Sequence, residues 1–155
     1  MCAPAGPPRF ALAASVSELW VCLLLVGGPA ACSGGVQARS MTFSSDAYLT
    51  VMSKSGTLSV EVRTSPQPPQ RGTIGVELVV ANAGDAALRD GLTVDLVPWM
   101  PAHGHGTSVV PTVDAKGQGR YELANVDLFM PGHWELRTTF SGPLMDYVAP
   151  AFDIP

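Results

Sequence analysis

Beyond Cys32 the 155-residue chain has no cysteine; its three cysteines are Cys2, Cys22 and Cys32. The remainder therefore has no thiol nucleophile, thiolate zinc site, redox pair or disulfide. Its stability must come from a hydrophobic core, which about 110 residues can supply. Charge is also sparse, at 14% of residues, and 9 Lys+Arg against 13 Asp+Glu leave a net −4. A nucleic-acid binder carries a clustered basic surplus, so that partner class is excluded. No uninterrupted apolar run approaches the roughly 20 residues of a membrane-spanning helix. The 16 Gly and 14 Pro follow no Gly-X-Y period, and 46% hydrophobic residues are too many for disorder throughout. What is left is one small, mildly acidic globular domain behind an N-terminal leader.

The leader reads as an address. Phe10 to Val26 is apolar but broken by Glu18, and its clean run, Leu19 to Val26, is 8 residues long. Arg9 precedes it, Gly27-Gly28-Pro29 ends it, and Ala30-Ala31 follow. A basic start, a short apolar core and small residues before a cut mark a secretory signal. Ala31-Cys32-Ser33-Gly34-Gly35 resembles a bacterial lipoprotein signal, in which the cysteine becomes the lipidated first residue of the mature protein; Pro29 stands where such signals usually carry Leu. Ordinary cleavage after Ala38 is the other reading. The expected organisation is a signal peptide at 1–31, lipid attachment at Cys32, a flexible tether at 32–46 and a domain at 47–155. The protein is then exported and held to a membrane by lipid, facing the periplasm or the cell surface.

From Tyr48 onward, β-type runs alternate with turn signals. Leu58, Val60 and Val62 share one face of a strand, as do Ile74, Val76, Leu78 and Val80 of a second and Leu92, Val94 and Leu96 of a third. A shorter run covers Thr107 to Val113, and Asp114 to Gly119 reads as a hairpin turn. Tyr121 to Phe129 alternates with some slip, and His133 to Phe140 sets Trp134, Leu136 and Thr138 opposite Glu135, Arg137 and Thr139. Tyr147 to Ile154 is apolar but broken by Pro150, which suits an edge strand. No ten-residue stretch of the domain has a 3.6-residue period free of Gly and Pro. The expectation is an all-β fold: an immunoglobulin-like antiparallel sandwich of seven or eight strands in two sheets. Its core is predicted to contain Leu58, Val60, Ile74, Val76, Leu78, Leu92, Val94, Leu96, Tyr121, Leu123, Trp134 and Leu136.

All three histidines fall in two similar blocks, Trp99-Met-Pro-Ala-His-Gly-His-Gly106 and Met130-Pro-Gly-His-Trp134. If the strand ending at Val97 runs up, the next runs down and Tyr121–Phe129 runs up again. Both blocks then sit at one end of the sandwich, where loops on a rigid scaffold carry function. Imidazole accepts copper or zinc and thioether favours Cu(I). His103, His105 and His133 with Met100 or Met130 therefore make a chemically sensible copper set. The plainer alternative is that both Met residues plug the end of the core while the histidines are solvated.

Catalytic readings find little support, and no catalytic residue is assigned. Ser108 and Asp95 accompany His105, but no Gly-X-Ser-X-Gly elbow is present. Asp114 and Asp127 do not signal a two-carboxylate glycosidase site. No carboxylate shell for a water-activating metal can be placed either.

The run Val97 to Gly106, Pro111, Gly119-Arg-Tyr121, Val126 to Phe129 and Met130-Pro-Gly-His-Trp-Glu-Leu-Arg137 resembles the YtkA-like domain family, which is related to FixH. The family pattern touches Met100, Pro101, Gly104, His105, Tyr121, Met130, Gly132 and Trp134. A Met commonly precedes the Gly-His pair, and here that position is His103, which adds an imidazole and removes a thioether. The resemblance implies an exported or membrane-anchored β-sandwich, with relatives in copper handling or in assembly of cation pumps and respiratory oxidases. Two functions follow as expectations: a non-catalytic copper-binding or copper-delivery domain, or an interaction module on a membrane protein complex without metal.

Overall fold

The computed structural model describes residues 41–155. The leader, Cys32 and the first part of the expected tether lie outside the described residues. Ten strands form two antiparallel sheets, and no helix occurs among the described residues. The strands are β1 (Leu49–Met52), β2 (Leu58–Ser65), β3 (Gly72–Asn82), β4 (Thr93–Met100), β5 (His105–Gly106), β6 (Thr112–Gly117), β7 (Arg120–Leu128), β8 (Gly132–Ser141), β9 (Asp146–Val148) and β10 (Ala151–Ile154). One sheet runs β1-β2-β3-β7-β6 and the other β10-β8-β4-β5, with β9 also on β8. This is the expected immunoglobulin-like sandwich, with two of the expected runs each replaced by two short strands.

The period-2 pattern explains the core. All twelve residues expected there are buried, joined by Val62, Val80, Met100, Val126, Leu128, Phe140, Val148, Phe152 and Ile154. Tyr121 is buried with its hydroxyl satisfied twice: it donates to the Arg89 carbonyl at 2.9 Å and accepts from Leu92 N–H at 3.1 Å. Burial, with a smaller push from the nearby Asp90 charge, raises the phenol above its ordinary value, against the Leu92 hydrogen bond. This ties the loop before β4 to the opposite sheet.

Three local expectations are corrected. Thr107–Val113 is not one strand: β5 ends at Gly106 and β6 begins at Thr112. The hairpin after it turns at Gln118-Gly119, both at positive φ, with β6 continuing to Gly117. The last run is two strands, separated at Ala149-Pro150, on the same side of β8. Before β1, Met41 and Phe43 lie over Gly75 of β3, where a methyl group would collide with the Met41 sulfur. The described part of the expected tether therefore rests on the sandwich.

Candidate functional site

The two histidine-bearing blocks meet at one pole. β4 runs into it, β7 ends at it, and β8, antiparallel to β4, starts from it. The Met100 methyl group beneath Gly132 joins the two blocks directly, and Phe129, just before the second block, adds an aromatic contact: the His105 and Phe129 rings lie with centroids 6.2 Å apart and planes within 14°.

The first block is a tight reversal. His103 N–H and Gly104 N–H both donate to the Met100 carbonyl, at 3.1 and 3.0 Å. Gly104 has φ 67°, the left-handed region that glycine enters without a Cβ penalty. The chain then returns as β5, with Met100 opposite His105 and Trp99 opposite Gly106. A Cβ on Gly106 would strike the Pro98 carbonyl oxygen, so β5 can lie this close only as glycine.

That reversal sets the His103 and His105 rings 5.6 Å apart, tilted by 56°. His105 Nδ1 lies 3.1 Å from its neighbour's carbonyl, Gly106 O. A carbonyl can only accept, so this hydrogen bond places the proton on Nδ1 and leaves Nε2 with the lone pair of the neutral ring. Phe129 is in turn packed edge-on against Trp134, at 5.5 Å and 73°. Trp134 is fully buried and donates its indole N–H to the Met130 carbonyl at 2.9 Å.

The other candidate ligands stand apart from this pair. Met100 is 2% exposed, and its methyl group lies beneath Gly132 at the start of β8. Met130 is partly buried and packs on the core. His133 points out of β8, opposite in sense to Trp134, and its Nδ1 is 3.0 Å from Asp153 Oδ1 on β10, its register partner. Among the described residues, no group of three or more His, Cys, Asp or Glu is gathered as a metal cluster. Cys32, the expected lipid site, lies outside the described residues.

Three features escape the sequence reading. Phe129 follows the last residue of β7 and stands in the sequence as the residue before Met130-Pro131. Asp153 has no local signal as the partner of His133. Trp99 faces outward under Arg137, whose guanidinium carbon is 4.5 Å from the ring centroid and whose Nε donates to Glu135 at 2.9 Å. Around the pole, Phe129 is 41% and Val110 78% exposed. The Val109-Val110 loop is tied down by Thr107, whose hydroxyl reaches Asp127 at 3.4 Å and accepts from Val109 N–H at 3.1 Å.

A family model described as YtkA-like matches residues 52–139, from the end of β1 through most of β8. No curated protein matches the chain. Among solved structures, FetP of uropathogenic Escherichia coli strain F11, as isolated, aligns with a TM-score of 0.45 and 8% identity, covering 70% of this chain and 92% of that one. A copper-bound variant of the same FetP aligns with a TM-score of 0.45 and 7% identity, covering 68% and 92%.

Proposed function

The chain belongs to the YtkA-like family, and from that premise we propose that it is an exported, lipid-anchored, non-catalytic module that binds copper at the His103–His105 corner and hands it on. One observation carries the reading. The two imidazoles are adjacent, at 5.6 Å, and the Nδ1–H of His105 is spent on Gly106 O, which leaves Nε2 free for an ion. Metal-binding histidines are commonly held this way, with the second ring nitrogen donating to a carbonyl.

The donor set fits copper in part. Both imidazoles suit it, and copper(II) leads the first-row divalent ions in affinity for such ligands. The thioethers expected beside them belong to the packing: Met100 is inside the core and Met130 lies against it. Zinc sites supply three or four protein ligands. Two imidazoles leave coordination positions open for a partner's donors, so the ion would be exchangeable, as delivery requires. When bound, copper would supply only its own coordination bonds, and this chain's part is to hold and release it.

The second reading is a docking module without metal. The exposed Val110 and Phe129 side chains at the same pole favour it. Titration separates the two. In a Cys2→Ser, Cys22→Ser, Cys32→Ser background, where no thiol competes, the purified chain should retain about one equivalent of copper after dialysis and much less zinc. His105→Ala should lose it. Equal copper retention by the chain and by His105→Ala would reject the copper site and favour docking.

A further inference from the structure

The His105 side chain is fixed through a second residue. Leu128, the last residue of β7, is buried, and the chain turns so that the next side chain, Phe129, lies between two rings. Its ring lies near-parallel to the His105 imidazole, with centroids 6.2 Å apart, and meets Trp134 edge-on. Trp134 cannot move, because it is fully buried and tied by its indole N–H to Met130 O. The order imidazole, phenyl, indole therefore runs from the surface into the core, and only its last member is immobilised by its own burial and hydrogen bond. His105 is exposed and its hydrogen bond to Gly106 O is a single contact to its own neighbour. Without the phenyl ring, the imidazole would be held only by that one hydrogen bond and by the neighbouring His103 ring, 5.6 Å away on the same exposed reversal, and would turn more freely about its χ angles and exchange its Nδ1–H for the other tautomer.

We infer that Phe129 is a positioning residue for the copper ligand, holding His105 in the Nδ1–H tautomer so that Nε2 is the coordinating nitrogen; this rests on the copper reading above. A coordinated imidazole also gains positive character, and the face of a phenyl ring attracts it. The stack is then stronger with the ion than without it. Hydrogen-bond partners of metal-binding histidines carry about 10–100-fold in affinity, and a ring that keeps His105 on its Gly106 partner acts through that bond.

The bland role for Phe129 is to roof Trp134. Leucine at 129 would still roof the indole but cannot stack on an imidazole, whereas tyrosine keeps the stack. The test reads the apo full chain, in the same cysteine-free background, by long-range proton–nitrogen NMR of the imidazoles at about pH 8.5, where free imidazole is neutral. Wild type should show His105 protonated at Nδ1. Phe129→Leu should show mixed tautomers at His105, with the His133 signals unchanged as a check on the fold, and Cu(I) affinity lowered about tenfold. Phe129→Tyr should restore both. An unchanged His105 tautomer in Phe129→Leu would overturn the inference, as would an affinity loss that tyrosine does not rescue. If wild type binds no copper, the copper reading falls alone, because the apo tautomer comparison still decides whether Phe129 positions the ring.

Discussion

At the scale of single residues, the histidine corner depends on two glycines more than on its ligands. Gly104 occupies the left-handed region and Gly106 lies against the Pro98 carbonyl. Gly104→Ala should cost about 1 kcal/mol, lowering Tm by about 4 °C, with the sandwich intact. Gly106→Ala should cost more, about 2 kcal/mol, because β5 must move off β4, and its His103–His105 spacing should open. Thermal melts and the copper titration check both; a Gly106→Ala chain with full stability and full copper retention would show that the close approach does not shape the corner. Some of this scale was legible beforehand. The alternation of β4, with Val94 and Leu96 inward, also puts Met100 inward, and the alternation of β8 turns His133 away from Trp134. As ligands, both would have to turn against a period that the same strands already display. The His105–Phe129 stack was not legible, because it depends on how closely a reversal and a strand end approach across 24 residues of sequence.

At the scale of elements, legibility follows burial. β2, β4 and β8 each have one fully buried face, so their sequences alternate, and β3, buried on both faces from Ile74 to Leu78, still alternates because its second face there carries Gly75 and the ion-paired Glu77. β6 is an edge strand exposed along nearly its whole length, and with no buried face to specify, its sequence carries no pattern. The far end of the sandwich shows how separate elements are fastened. Asp146, at the start of β9, receives the Ser55 N–H at 3.2 Å, the Ser55 hydroxyl at 2.6 Å, the Thr57 hydroxyl at 3.0 Å and the Tyr147 N–H at 2.9 Å. It so clamps the β1–β2 turn of one sheet to β9 of the other. Burial raises this carboxyl's pKa, but the Ser53 and Ser55 side chains and the Tyr147 and Ser55 amides outweigh it and hold the group well below the ordinary carboxylate range. A depressed folded-state pKa means that the unfolded chain takes up the proton first. The clamp's stability is therefore complete above about pH 5 and is lost progressively as the pH falls below about 4. Asp146→Asn should cost about 2 kcal/mol at pH 7 and flatten this acid dependence. Urea unfolding at pH 7 and pH 3 reads both; identical acid slopes for wild type and Asp146→Asn would remove Asp146 as their source.

At the scale of the whole molecule, counting strand directions was enough to place both histidine blocks at one pole, since each antiparallel turn reverses the chain whichever sheet it joins. The same scale carries the prediction for the leader. Cys32→Ser should shift the protein from the membrane fraction to the soluble one, and an unchanged membrane partition would reject lipid attachment at that residue. The way the sandwich receives its N-terminus then matters. Met41 and Phe43 are laid on β3, so the residues from Met41 to Asp46 would add nothing to the distance between the proposed anchor and the domain. Six residues can span about 20 Å when extended, and the nine links from Cys32 to Met41 about 30 Å. If lipid at Cys32 moors the domain as proposed, stitching that stretch to the sheet would cut the radius the head can sweep by roughly two-fifths, and a recipient of the proposed copper would have to come within the smaller circle.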